Sequence, residues 1–503
     1  MQRNDNNKQQ PTPSDKTKNV FNFSDGNESK RPPPHFLRMA SSPVAHKHLR
    51  RNIVDLHENH PAEFGRFVMA LQALEASDDW FRICGIHGNT FKPADAGVLC
   101  PTDPAVVETV AETGEPVYCK HSVYPFIAWH VPYIYQFELL LNKYNKSENK
   151  AYLALPYLDL TDFSQDLTFL NAHRITVLFD GKEQTIANPL AAHNARFYDL
   201  SGNCVPVERN GYLTPTTEEQ RLTLNTVRKQ LFNTQFSKTY EEFSSKPVIL
   251  PGKTAGDDFV GTPLETPHNT CHDVIGGDGG NMSDISISAF DPIFWFHHCN
   301  MDRFYYNWMS TQTDGFAKSF VTIQDTTRAA SHAPFFPTEA ALFSTDPATY
   351  GYGWTNGTGA YQVLNDTLAL DNFPYTYAPI ALPTTTPLPV SSYINLLGIP
   401  TPMETVVIKA YITPKGAPIN KETQFAGLVV WLGLDRAKRH CSRCERARVN
   451  LQIDITEHCA RYGIHAANAD RYEIVLEGIG KLTSTEYKRD EIVLDGAVVV
   501  HIQ

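Results

Sequence analysis

Pro267-His268-Asn269-Thr270-Cys271-His272-Asp273 is followed closely by Ala289-Phe290-Asp291-Pro292-Ile293-Phe294-Trp295-Phe296-His297-His298-Cys299-Asn300-Met301-Asp302-Arg303-Phe304. His268 and His272 are four residues apart, so on a helix they share one face. Two imidazoles on one face can grip one metal ion. Asp291-Pro292 reads as a helix start, Asp capping and Pro standing where its missing N–H costs nothing. The helix it opens carries His297 and His298 beside Phe294, Trp295 and Phe296, and one of the pair can complete a three-histidine site. Burying several imidazoles among apolar side chains is costly unless each is satisfied, and ligation satisfies them. An all-imidazole set suits copper as well as zinc. The zinc-protease pattern His-Glu-x-x-His is absent, because Asn269 follows His268. A His-x3-His pair standing alone would equally be a surface accident; the adjacent His-His in an aromatic helix start argues against that.

Upstream lie Gly85-Ile86-His87-Gly88, Tyr118-Cys119-Lys120-His121-Ser122 and Phe126-Ile127-Ala128-Trp129-His130. Spacing alone makes this cluster weaker, since a long loop separates His87 from His121. The second cluster strengthens it, because two metal ions about 3.5–4 Å apart are a common catalytic unit.

Around these clusters the chain reads as a mainly helical core. Phe64, Phe67, Val68, Leu71 and Leu74 fall at helical spacing between 61 and 81, and 122–142, 216–243, 268–274 and 291–309 read as further helices. After about residue 370 prolines and threonines dominate. Short β-branched runs follow at 405–413, 425–434, 449–455, 472–476 and 491–502, the pattern of a small antiparallel β-domain. The expected organisation is a flexible arm at 1–45, a helical metal domain at 46–380, a linker at 381–402 and a β-domain at 403–503.

The 503 residues are 42% hydrophobic and 20% charged, with a net charge of −11. A nucleic-acid footprint wants a basic face, so that class is disfavoured. No apolar run approaches the ~20 residues of a membrane helix, and the first forty residues lack an apolar signal core. A cytoplasmic protein is expected, with no membrane partner. Oligomeric state is open, a homo-oligomer included. Nine scattered cysteines do not form a disulfide framework.

These motifs resemble the coupled binuclear copper proteins: tyrosinases, catechol oxidases and molluscan hemocyanins. The string from Ala289 to Arg303 looks most like fungal-type tyrosinases. The resemblance implies a mainly α fold, a four-helix-bundle binuclear copper core followed by a small C-terminal antiparallel β-sandwich. It implies two copper ions, with O2 as co-substrate and small phenols as substrates. Carried over, His87, His121 and His130 would hold the first copper, and His268, His272 and His298 the second, leaving His297 to pack beside them. Cys119 matches the cysteine that forms a thioether to the histidine two residues on, here His121; a buried free thiol is the alternative. Glu265 and Asn269 match a pair that holds a water to deprotonate the phenol, with helix capping the alternative for Glu265. Phe294 resembles the aromatic over the first copper, and Ile285 falls near a position that stacks on the substrate ring.

Tyr375-Thr376-Tyr377 resembles the tyrosine motif that ends the core, and Arg51 the arginine that anchors it. A β-domain side chain plugs the site in zymogens and hemocyanins; Phe425 or Trp431 could do so here, or be plain sandwich core. Cys441 and Cys444 resemble a Cys-x-x-Cys linked to copper loading, with a copper chaperone as the partner implied. The chain departs from the family where Val131 replaces a frequent Arg and Ser122 a frequent Gly. The implied function is a tyrosinase: ortho-hydroxylation of monophenols and oxidation of o-diphenols to o-quinones in melanin-type pigment chemistry, made as a capped proenzyme or as a permanently active enzyme. A catechol or o-aminophenol oxidase, and a hemocyanin-like O2 carrier, are the rival readings.

Overall fold

The computed structural model describes residues 47–88, 119, 121–122, 126–198, 203–245, 262–312, 374–381, 391–402, 404–433, 448–481, 484–488 and 497–503. All of these fall in one compact unit, His46–Gln503. The expected arm at 1–45, and Cys441 and Cys444, lie outside the described residues.

Six main helices form the core: α1 (Pro61–Glu75), α2 (Asp78–Gly88), α3 (Phe126–Tyr144), α4 (Glu218–Thr234), α5 (Glu265–Gly276) and α6 (Ile293–Thr311). Helix α1 starts on Pro61 and buries Phe64, Phe67, Val68, Leu71 and Leu74, the residues whose spacing predicts it. Helix α4 opens with a capping box between Thr217 and Gln220. It ends at Thr234, so the helix expected over 216–243 is two pieces, the second being Tyr240–Ser244. Helix α6 starts as its sequence predicts: Asp291 Oδ1 accepts the Ile293 N–H at 3.1 Å. The same carboxylate is gripped by Arg209, whose Nε lies 3.0 Å from Oδ2. Trp295 stacks on Phe137 with ring centroids 3.9 Å apart, locking α6 against α3.

Two short strands, β1 (His48–Arg50) and β2 (Tyr375–Tyr377), pair in parallel and bind the ends of the core together. Their register places Arg50 opposite Tyr377. Arg50, not the expected Arg51, is the buried anchor. Its Nε donates to Glu138 at 2.7 Å, its Nη1 to Asp302 at 2.9 Å and to Tyr377 Oη at 2.9 Å, and its guanidinium lies 3.4 Å over the Tyr375 ring. Side chains alternate along a strand, so the neighbouring Arg51 points to the other face, toward exposed Asp55.

Residues 174–187 form an antiparallel hairpin that the helical reading passed over. Its sequence signal is Asp180-Gly181, both at positive φ (46° and 76°), the two-residue turn that matches strand twist.

The C-terminal part is an antiparallel sandwich. Its strands are β3 (Tyr393–Pro400), β4 (Val406–Pro414), β5 (Phe425–Trp431), β6 (Arg448–Asp454), β7 (Tyr472–Gly480), β8 (Glu486–Lys488) and β9 (Ala497–His501). One sheet runs β6-β3-β9 and the other β8-β7-β4-β5. Strand β3 corrects the expected linker at 381–402: residues 393–400 are the central strand of a sheet. Ile394, Leu396 and Ile399 bury into the sandwich, an alternation obscured by the proline-rich residues before it.

Strands β4 and β5 are covered on both faces. Ile408, Ala410, Ile412, Ala426, Val429 and Trp431 enter the sandwich core. Val407, Val430 and Leu432 pack instead on Ile285 of the helical part, and Tyr411 and Phe425 on Leu222. Ion pairs stitch the same seam: Lys229–Asp454 at 2.7 Å, Lys409–Glu219 at 2.6 Å, and Lys481 to both Asp273 and Asp278 at 2.9 Å. No described helix is long and apolar enough to cross a membrane.

Candidate metal centre

Helices α2, α3, α5 and α6 converge on two groups of imidazoles. His87 comes from the end of α2, His130 from α3, and His121 from the segment before α3. His268 and His272 project from successive turns of α5, and His298 from α6. Ring centroids within the first triad are 5.7–5.8 Å apart. Within the second they are 4.5–5.4 Å apart. The triads face each other: His130 stacks on His298 at 4.5 Å, and His121 lies 5.6 Å from His268.

The other ring nitrogen of most of these histidines is held by the protein. His87 Nδ1 lies 2.8 Å from the Ile285 carbonyl, His130 Nδ1 2.7 Å from that of Phe126 and His272 Nδ1 2.8 Å from that of Met282. A carbonyl can only accept, so Nδ1 carries the hydrogen and Nε2 presents a lone pair inward. Asn269 Oδ1 does the same for His268 at 2.8 Å. Contact between α2 and the 285–286 segment depends on Gly88. A Cβ there would fall 2.2 Å from the Ser286 Cα, so Gly88 lets His87 reach Ile285.

Burial holds these histidines in their neutral form: it pulls His130 down to about 3 and His272 to about 4, against the hydrogen bonds to the Phe126 and Met282 carbonyls, with the His272 imidazole adding a smaller push on His130. His298 Nε2 lies 3.3 Å from both His268 Nε2 and His272 Nε2. The inward lone pairs of His87, His130, His268 and His272 thus crowd together at the centre. The charge that fits between them is a cation. The donor set therefore fits two metal ions, one per triad, and soft, redox-active copper matches all-imidazole ligation.

Residues 77–311 match the common central domain of tyrosinase. A tyrosinase of Neurospora crassa is 28% identical over 368 residues, covering 61% of this chain and 52% of that protein. A tyrosinase of Podospora anserina is 28% identical over 340 residues, 58% of this chain and 55% of that protein. The chain thus spans about half the length of the curated relatives it matches. In fold it is similar to a tyrosinase from Burkholderia thailandensis, with a TM-score of 0.58 at 20% identity over 90% of this chain and 100% of that one. Residues 77–311 thus carry a tyrosinase-type central domain, that of the type-3 copper proteins. The two histidine clusters fit a pair of copper sites of the kind that domain holds.

Around this tyrosinase-type centre the other expected residues are placed as follows. Cys119 Sγ lies 3.2 and 3.9 Å from the two ring nitrogens of His121, 2.9 Å from His87 Nε2 and 3.4 Å from His130 Nε2. Phe294 is fully buried and packs on His87 (4.8 Å), His298 (4.2 Å) and His272 (5.8 Å), so it separates the backs of both triads. Ile285 is buried under Val407, Val430 and Leu432. Glu265 is buried at the start of α5; its Oε1 accepts the Ser122 N–H at 2.7 Å and its Oε2 the Ser245 hydroxyl. Ser245 was not foreseen, because nothing in its local sequence marks it.

Glu265 and Asn269 line one cavity with Ser122, Val429, Val430 and Trp431. Its volume is about 30 Å³, room for about two or three water molecules. Of the two expected plug residues, Trp431 is at this cavity, while Phe425 is away from it on Tyr411 and Leu222. The residues missed were Val429 and Val430. Their signal was the unbroken apolar run Ala426 to Leu432, which marks a strand covered on both faces.

Two expectations arise from the residues around the triads. Ser122 sits at φ 55°, a left-handed conformation costly for any residue but glycine. Ser122→Gly relieves that strain against glycine's larger unfolded entropy, and should raise the stability of the metal-free protein by about 0.5–1 kcal/mol in urea unfolding. Burial raises the Glu265 carboxyl to about 7 from 4.5, against the two hydrogen bonds that pull it down. Folded Glu265 therefore holds its proton more tightly than unfolded, and that stabilisation is lost as pH rises from about 4.5 through about 7. Relative to Glu265→Gln, the metal-free wild type should lose about 3 kcal/mol across that window, because each tenfold gain in proton affinity on folding is worth about 1.4 kcal/mol. Paired urea titrations at pH 5 and pH 8 read it.

Proposed function

We propose that this chain is a copper- and O2-dependent tyrosinase that hydroxylates monophenols at the ortho position and oxidises o-diphenols to o-quinones. The observation that carries the reading is the pair of facing histidine triads with a buried, high-pKa carboxylate beside them. His87, His121 and His130 would hold one copper, and His268, His272 and His298 the other. The chemistry the metal pair supplies when bound is the activation of O2 and the uptake of electrons from the phenol.

The chain's own residues do the rest. A phenol with pKa about 10 must lose its proton to bind as phenolate. Glu265, raised to about 7, is matched to take that proton near neutral pH, and Ser122 and Ser245 aim it. Asn269 fixes the tautomer and orientation of His268. Phe294 and the apolar packing behind the triads keep water out. The closeness of Cys119 Sγ to the His121 ring supports a thioether, which would lock His121 in place.

The β-domain acts as a cap in this reading. Val429, Val430 and Trp431, which line the narrow cavity beside Glu265, support it. Proteolysis between residues 381 and 391, or movement of the β4–β5 sheet, opens the site. The test is copper loading followed by O2 uptake on tyrosine and on DOPA, with intact and clipped protein. Activity on both after clipping supports a capped tyrosinase. DOPA oxidation without tyrosine oxidation makes it a catechol oxidase, and reversible O2 binding without turnover leaves only the carrier. In the opened enzyme, Glu265→Gln should lower kcat/KM on tyrosine by about 100-fold or more, the usual range for losing a general base, and affect DOPA less.

A further inference from the structure

His297 is the seventh imidazole of the centre and has no part in the six-ligand set. It is 2% exposed, and its Nε2 has no hydrogen-bond partner. Orphaned ring nitrogens at such depth are uncommon and call for a reason. Its ring stacks on His268 at 5.1 Å and lies edge-on to His272 at 4.9 Å. The main chain of His268 offers His297 a hydrogen-bond acceptor. His87, His130 and His272 use such an acceptor: Nδ1 donates to a carbonyl and Nε2 keeps its lone pair.

His268, His272, His297 and His298 each offer a ligand nitrogen within 4.8 Å of all the others. Imidazole binds such metals at about 2.0–2.1 Å, so two nitrogens on one ion are at most about 4.2 Å apart. A side-chain shift of well under about 1 Å brings His297 into that range. His297 and His298 are neighbours on α6, so exchanging one for the other needs no movement of the backbone.

We propose that His297 is an auxiliary copper ligand that completes a transient site with His268 and His272 during metal loading and then yields to His298. This rests on the two-copper reading of the triads. Its test reads metal binding and is independent of phenol turnover.

Metal-free protein carrying His297→Ala or His297→Gln would be mixed with copper, and uptake followed by quenching of tryptophan fluorescence. Trp129 and Trp295 lie in the core around the triads. Gln keeps a donor for the main-chain bond, and circular dichroism confirms that each variant is folded. The expected result is uptake at the second site slowed about tenfold or more in both variants, with two coppers per chain at the end. Uptake at the wild-type rate in both overturns the proposal, and so does a final content of one copper, which would make His297 a permanent ligand. A second readout uses His298→Ala in a His130→Ala background, so that only the second site is observed. Copper retained there should show nitrogen hyperfine couplings by electron paramagnetic resonance and vanish when His297→Ala is added. Equal retention with and without His297 overturns the proposal. Were the wild type itself to bind no copper, the two-copper reading would fail, distinguishably from failure of the His297 assignment.

Discussion

On the two-copper reading, His130→Ala should reduce tightly bound copper from two ions per chain to one and bring O2-dependent phenol oxidation to background. His130 is buried, its Nδ1 is fixed on Phe126 and its ring stacks on His298 of the facing triad. Losing an outer partner of a ligand costs about 10–100-fold in metal affinity, and losing a ligand outright exceeds that. The activity loss is larger still, because one ion cannot share the electrons that two supply. Copper content by atomic absorption, read beside O2 uptake, checks both. Two retained coppers with wild-type turnover would contradict the assignment of the first site.

Arg50→Leu costs the metal-free protein about 3–5 kcal/mol of folding stability, the range for removing one partner of a buried ion pair. Arg50 is 1% exposed, and Glu138 and Asp302 are buried beside it. Without the guanidinium both carboxylates stay in the core with one fewer donor each, and burial already pushes the Asp302 carboxyl up. Tyr375 loses the cation over its ring and Tyr377 one of its bonds. The β1–β2 ladder that joins the two ends of the helical part loosens with them. Urea unfolding reads the loss. A triple replacement, R50L/E138L/D302L, should cost less than R50L alone, because it leaves no charge unpaired. Arg51→Leu, one residue on and partly exposed, should change stability by less than about 1 kcal/mol.

The contrast between Arg50 and Arg51 shows where the sequence stops. Histidines four apart on α5, the Asp291-Pro292 cap and the apolar spacing of α1 are local, and local periodicity determined them: a helix, its start and the face that carries His268 and His272. The Asp180-Gly181 turn was equally local and could have been read. His87, His121 and Asn269 were reached by resemblance; spacing alone could not join His87 to His121 across the long stretch of sequence between them. What joins them is tertiary: Gly88 lets α2 close on Ser286, and the Ile285 carbonyl then turns His87 inward.

Strand parity is the second limit. In β1 a shift of one residue exchanges the buried anchor for an exposed one, and only the pairing with β2 sets which is which. In β5, Phe425, Val430 and Trp431 are all apolar and all buried, so composition cannot rank them as plugs. The register shift opposite Ala410 and Tyr411 and the docking of β4–β5 on Ile285 decide it. The sequence by itself determined the chemistry: which residue types stand ready, and the helices that carry most of them. Tertiary packing alone decided which imidazole nitrogens face one another and which side chains line the cavity beside Glu265, because those depend on contacts between segments far apart in the chain.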